Sequence, residues 1–271
     1  MTTPLATETR LLLENIVTTS PNGQVQLHDD VFPVHLADGA TLYRVMFSTV
    51  LQFNDVLDAG KLQNAFSRLL DIGHWRKLGG RLKMKENGDL EVHVPTRFTA
   101  ERPAMLYAYE NFESNIAEHP LAPELPQSAD TLSIDSVEEV QHFIRGPTFP
   151  TTFNEMIDQG APQLLVKITA FFDATLLAIT APHVTWDGFG FSSFLQALQL
   201  ILAGREDEVP PMLGSRHDML VEMASRYSDN KVDKEAPQGE QQQQSMPQEP
   251  RSYNSLCSKS PLARSLSRRV G

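Results

Sequence analysis

One junction constrains this chain more than any other stretch. The run Thr175-Leu176-Leu177-Ala178-Ile179-Thr180 is apolar and partly β-branched, and reads as a buried strand. It leads into Ala181-Pro182-His183-Val184-Thr185-Trp186-Asp187-Gly188. Then Phe191, Phe194, Leu195, Leu198 and Leu202 recur with the spacing of one helical face. His183 therefore stands where a strand ends and a helix begins, a place where two rigid elements can hold a side chain exposed. A neutral imidazole there could take a proton from an alcohol or amine attacking a carbonyl. Asp187 follows four residues on and could brace the junction, while Gly188 would let a ligand or another backbone come close. A plain alternative stays open, in which His183 only ends a strand and hydrogen-bonds a neighbouring carbonyl.

The 271 residues suffice for one large domain or two small ones, and 41% are hydrophobic, enough for a core. A net charge of -11 argues against a nucleic-acid surface or an anionic membrane as partner. No run is long and apolar enough to span a bilayer, and the first residues lack the pattern of a secretory signal. Cys257 is the only cysteine, which excludes internal disulfides and a thiolate metal site and fits a reducing, cytoplasmic setting. The histidines outside the junction show no ligand spacing, so no metal is expected.

Along the chain, residues 24–28 read as a short strand and residues 41–53 as a long one. Asp58 can cap a helix whose apolar face is Leu62, Ala65, Phe66, Leu69 and Leu70, with Gly73 as its end. The segments 81–85 and 90–94 flank Asn87-Gly88 as a hairpin. Eight prolines between 95 and 162 break up that region, where short helices are expected near 109–117 and 152–158. Residues 164–172 and 175–180 read as adjacent antiparallel strands, and Gly204 as the end of the helix after His183. Residues 216–227 could add one more helix. The expected fold class is α/β, a mixed β-sheet with helices packed on it. The expected domains are an N-terminal segment over 1–23, one folded domain over 24–230, and a low-complexity, disordered tail over 231–271 that is rich in Gln, Ser and Pro.

Two other frames fail. Gly188-Phe189-Gly190-Phe191-Ser192-Ser193 has a serine where a dinucleotide fingerprint needs its third glycine. Ser192 and Ser193 lack the glycine frame of a hydrolase nucleophile elbow.

The ordered elements together resemble a known family. They are the helix Leu62-Gln63-Asn64-Ala65-Phe66-Ser67-Arg68-Leu69-Leu70, Leu78-Gly79-Gly80-Arg81-Leu82, Gly88-Asp89-Leu90-Glu91-Val92 and His183-Val184-Thr185-Trp186-Asp187-Gly188. Residues 98–104 and 116–122 add to the likeness. Over roughly residues 20–220 the chain resembles the N-terminal half of the BAHD-type acyltransferases, in the fungal branch that includes trichothecene 3-O-acetyltransferase and fumigaclavine O-acetyltransferase. The resemblance implies one chloramphenicol-acetyltransferase-like domain of two, with a tunnel between them. It implies an acyl-CoA-dependent O-acyltransferase, with acetyl-CoA as donor and a hydroxyl of a fungal secondary metabolite as small-molecule acceptor. By this resemblance His183 is the general base, Asp187 is structural and paired with an arginine, and Gly188 leaves room near the donor. Trp186 would line the acceptor side, or else pack in the core. A monomer is expected, or an association with a separate C-terminal half. The Asp-Phe-Gly-Trp-Gly motif of the family's second domain is absent from the sequence. The expectation is therefore a truncated enzyme, weakly active or inactive alone, since a missing oxyanion donor costs roughly 3–4 kcal/mol. The rival expectation is a non-catalytic protein that keeps the fold and binds a partner.

Overall fold

The computed structural model describes residues 17–19, 25–35, 38, 43–121 and 137–229. The proposed tail over 231–271 and most of the segment 1–23 lie outside the described residues.

The strands are β1 (Val17–Thr19), β2 (Val25–Leu27), β3 (Asp30–Pro33), β4 (Met46–Phe53), β5 (Arg81–Met84), β6 (Leu90–Val94), β7 (Leu106–Asn111), β8 (Leu165–Ala170) and β9 (Thr175–Pro182). The α-helices are α1 (Ala59–Leu69), α2 (Val137–Ile144), α3 (Phe153–Asp158), α4 (Gly188–Leu202) and α5 (Met219–Asp229). Three sheets form, ordered β1-β2, β3-β6-β5 and β4-β9-β8-β7. All pairings are antiparallel except β7 with β8, so the four-stranded sheet is mixed, as expected.

Every residue of β8 and β9 is buried. This explains their nearly unbroken apolar runs, because each strand is covered on both faces. On one face Val166, Ile168, Leu177 and Ile179 meet Leu62, Phe66 and Leu69 of α1 and Phe194, Leu198 and Ile201 of α4. On the other, Leu165 joins Phe32, Val92, Phe153 and Met156, and Leu176 joins Phe143 and Phe171. The α1 face matches its periodicity, and Asp58 caps it by accepting from the Lys61 amide at 2.9 Å. The hairpin forms with Gly88 at φ +88° in its turn.

The Gly-Gly-Arg-Leu element acquires a physical reason. Arg81 is buried and donates to the carbonyls of Gly79 (2.9 Å) and Pro103 (2.7 Å), and burial pushes its pKa down to about 10. Gly79 and Gly80 have no room for a side chain. A Cβ on Gly79 would lie 2.8 Å from Phe98, and one on Gly80 would overlap Val92 and sit 2.9 Å from Val94.

Several expectations differ from the structure. Residues 106–111 form β7, not a helix near 109–117, and only a 3-10 turn at Ile116–Glu118 lies there. The alternation of Leu106, Ala108 and Glu110 with Tyr107, Tyr109 and Asn111 suits an edge strand, and its partner β8 is distant in sequence and parallel. Helix α1 is capped at Leu70 rather than ended at Gly73; Gly73, at φ +44°, opens a 3-10 stretch, Gly73–Gly79. The long strand begins at Met46, since Tyr43 and Arg44 form a turn. Strand β3 and helix α2 went unforeseen.

Gly80 lies at φ −75°, so an added methyl meets only a packing problem. Gly80→Ala is expected to destabilise the fold by about 1–3 kcal/mol, the usual cost of overpacking, read as a lower urea midpoint at unchanged slope.

Candidate active site

Strand β9 ends at Pro182, opposite Met46 in the register with β4. The next amide, His183, donates to the Val45 carbonyl at 2.8 Å, and Val184 donates to Tyr43 at 3.3 Å. The turn is thus clamped to the segment before β4. The His183 ring stands edge-on to Phe47, with centroids 4.8 Å apart at 77°. Among the described residues its imidazole has no hydrogen-bond partner.

The four residues after His183 each have an anchor. Val184 is buried with the three-stranded sheet. Thr185 donates to Gln163 Oε1 at 3.1 Å, and the buried Gln163 passes its amide N–H to the Lys77 carbonyl at 2.8 Å. Trp186 packs on Phe194 (5.0 Å) and Phe191 (5.5 Å), so it serves the core. It also lines the cavity beside His183.

Asp187 is the N-cap of α4, its Oδ1 accepting from the Gly190 amide at 2.8 Å. Among the described residues Asp187 forms no ion pair, and its carboxylate satisfies a backbone N–H at the start of the helix. Gly188 is open, with nothing within 4 Å of an added Cβ, whereas a Cβ on Gly190 would lie 2.9 Å from the Trp186 Cβ.

His183 lines a cavity of about 930 Å³. This is within the size range of small-molecule sites. One wall is Trp75, Lys77 and Leu78 from the 3-10 stretch, and another is the segment from Pro210 to Gly214. That segment is strapped down. Pro210 accepts from Trp75 Nε1 (2.8 Å), Gly214 from His35 Nε2 (2.7 Å), and Ser215 pairs with His74 Nδ1 (2.6 Å). The cavity lining brings together His183, Trp186 and Asp187, three residues the sequence singles out, whereas Lys77, His35, Asp38 and the strap carry no mark in the sequence. No periodicity or motif marks residues drawn from separate loops. Among the described residues no His, Cys, Asp or Glu cluster could hold a metal.

Asp187→Ala is expected to cost about 1 kcal/mol, since the cap acceptor is lost. Asp187→Asn keeps an oxygen acceptor and should retain most of the stability, whereas a true arginine pair would suffer from both changes. Thermal melts of the two variants separate the cases.

No family model matches the chain. It is 37% identical over 200 residues to acetyltransferase adrJ of Penicillium roqueforti, covering 73% of this chain and 40% of that protein. It is 36% identical over 227 residues to acetyltransferase BOT5 of Botryotinia fuckeliana, covering 82% and 40%. It is 34% identical over 194 residues to a protein named transcriptional regulator calD, of Penicillium decumbens, covering 71% and 39%. The chain thus spans about two fifths of the length of the curated relatives it matches. Over the stretch it spans, it belongs to the fungal branch of the BAHD-type acyltransferases.

Proposed function

We propose that this chain carries the base-bearing part of an acyl-CoA-dependent O-acyltransferase, with acetyl-CoA as donor and a hydroxyl of a fungal secondary metabolite as acceptor. The observation that carries the reading is the imidazole of His183, without a hydrogen-bond partner among the described residues, on the wall of a ligand-sized cavity. The kinship with proteins named acetyltransferase supports it.

In this reading His183 takes the proton of the acceptor hydroxyl as its oxygen attacks the thioester carbonyl. The tetrahedral oxyanion collapses, the carbon–sulfur bond breaks, and the imidazolium returns its proton to the departing thiolate. An ester and free CoA result, without a covalent acyl-enzyme. Phe47 packs against the ring in a T-shaped contact, and the His183 and Val184 amides fix its backbone. Asp187 acts on this site only through the helix it caps. Gly188 leaves space on the helix side.

The cavity is lined by the exposed apolar side chains Leu213 and Leu220, and the exposed Phe47 lies against His183 beside it. Such a surface suits cover by a further acyltransferase portion, and with it a completed tunnel. A cytoplasmic setting, where acyl-CoA is available, goes with the reading.

The test is release of free CoA thiol from acetyl-CoA in the presence of an alcohol panel, by wild type and His183→Ala. Loss of a positioned base should lower turnover by about 10²–10⁴-fold while the melting temperature holds. Equal turnover by the variant would refute the role of His183. A binding protein that keeps the fold without the chemistry draws on the same exposed apolar side chains, and would gain if biological activity survived that substitution unaltered.

A further inference from the structure

Three cations are buried among the described residues: Lys77, Arg81 and Lys167. Two of them are satisfied. Arg81 holds two carbonyls, and Lys167 reaches Glu110 at 2.8 Å and the His142 carbonyl at 2.6 Å. Lys77 differs. It is 9% exposed, and its ammonium has no hydrogen bond or ion pair among the described residues. Its backbone is nonetheless anchored, because its carbonyl accepts from both Gln163 Nε2 and the Gly80 amide.

Lys77 lines the cavity that holds His183. The carboxylates sharing that cavity do not neutralise it. Asp187 and Asp218 turn oxygens to the backbone amides of helix starts, and Asp38 attracts the ammonium only from beyond ion-pair distance. Burial depresses the Lys77 pKa, which Asp38 opposes. The neighbouring walls, Trp75, Leu78 and Trp186, are aromatic or apolar, so a charge there acts through a poorly screening medium wherever water is kept out. A desolvated and unpaired cation is unfavourable in the empty fold and favourable once an anion arrives.

We propose that Lys77 is the anion-binding residue of this cavity. It would take an anionic oxygen of the molecules bound beside His183, either a carboxylate on the acceptor or a phosphate on the donor. This rests on the acyl-transfer reading of the cavity and narrows its substrate class.

Binding to the full chain tests the assignment without turnover. Calorimetric titrations would compare ω-hydroxylaurate with its methyl ester, and coenzyme A with pantetheine, on wild type, Lys77→Met and Lys77→Arg. If the acceptor carries the anion, wild type binds the acid about tenfold more tightly than the ester. Lys77→Met then loses that preference and Lys77→Arg keeps it. If the donor carries it, the same pattern appears between coenzyme A and pantetheine. Preferences unchanged in Lys77→Met, or absent from wild type, overturn the proposal. Lys77→Met should melt at or above the wild-type temperature, since it removes an unpaired buried charge. His183→Ala should keep the anion preference, so failure of the base assignment and failure of the Lys77 assignment are read separately.

Discussion

The pairing of β9 is the constraint on which the rest of the structure depends. Its eight residues are matched to β4 along their whole length and to β8 over six of them, and all eight are buried. A slip of one residue would exchange its two faces. Those faces meet different cores, Leu177 and Ile179 packing with α1 and α4 and Leu176 packing with Phe143 and Phe171, so the register is strongly fixed. The pairing of Met46 with Pro182 then sets where the strand ends, and the His183 amide bonded to Val45 extends the ladder one step further. The site histidine is placed by sheet register rather than by a loop.

The residues after it explain why it can be free. Val184, Thr185, Trp186 and Asp187 are committed in turn to a core, a buried amide, a second core and a helix cap. Gln163 is central here, for it joins Thr185 to the Lys77 carbonyl and so ties the His183 turn to the opposite cavity wall. A buried amide satisfied on both sides favours one arrangement of its neighbours, because breaking either bond strands a polar group. The imidazole, by contrast, meets the Phe47 ring and is left available.

This division also explains how much was legible in the sequence. Strands β8 and β9 and helices α1 and α4 announce themselves, since burial on two faces or along one stripe writes a pattern into consecutive residues. The Asn87-Gly88 turn and the Asp58 cap are equally local. Strand β7 was hidden because a parallel partner leaves no turn between the two segments. Asp187 shows in the sequence as a supporting residue, but its bond to a backbone amide three residues away is a feature of the folded helix start. The cavity itself was not legible, because its walls come from a 3-10 stretch and a proline-led strap joined only in space. Lys77 left no trace for the same reason.

The assignments to His183 and Lys77 share one physical condition. Water entering the cavity would screen the lysine and compete for the imidazole, and both would then be worth little. Phe47, 48% exposed, and Leu213, 79% exposed, are poor walls while water reaches them and good ones once an apolar surface lies over them. Cover would raise the value of an anion at Lys77 and of a proton transfer at His183 together, since each gains as the local dielectric falls. A buried unpaired cation and an exposed apolar rim are both costly beside water, and both costs would be offset by the same event, an apolar surface and an anion covering the cavity.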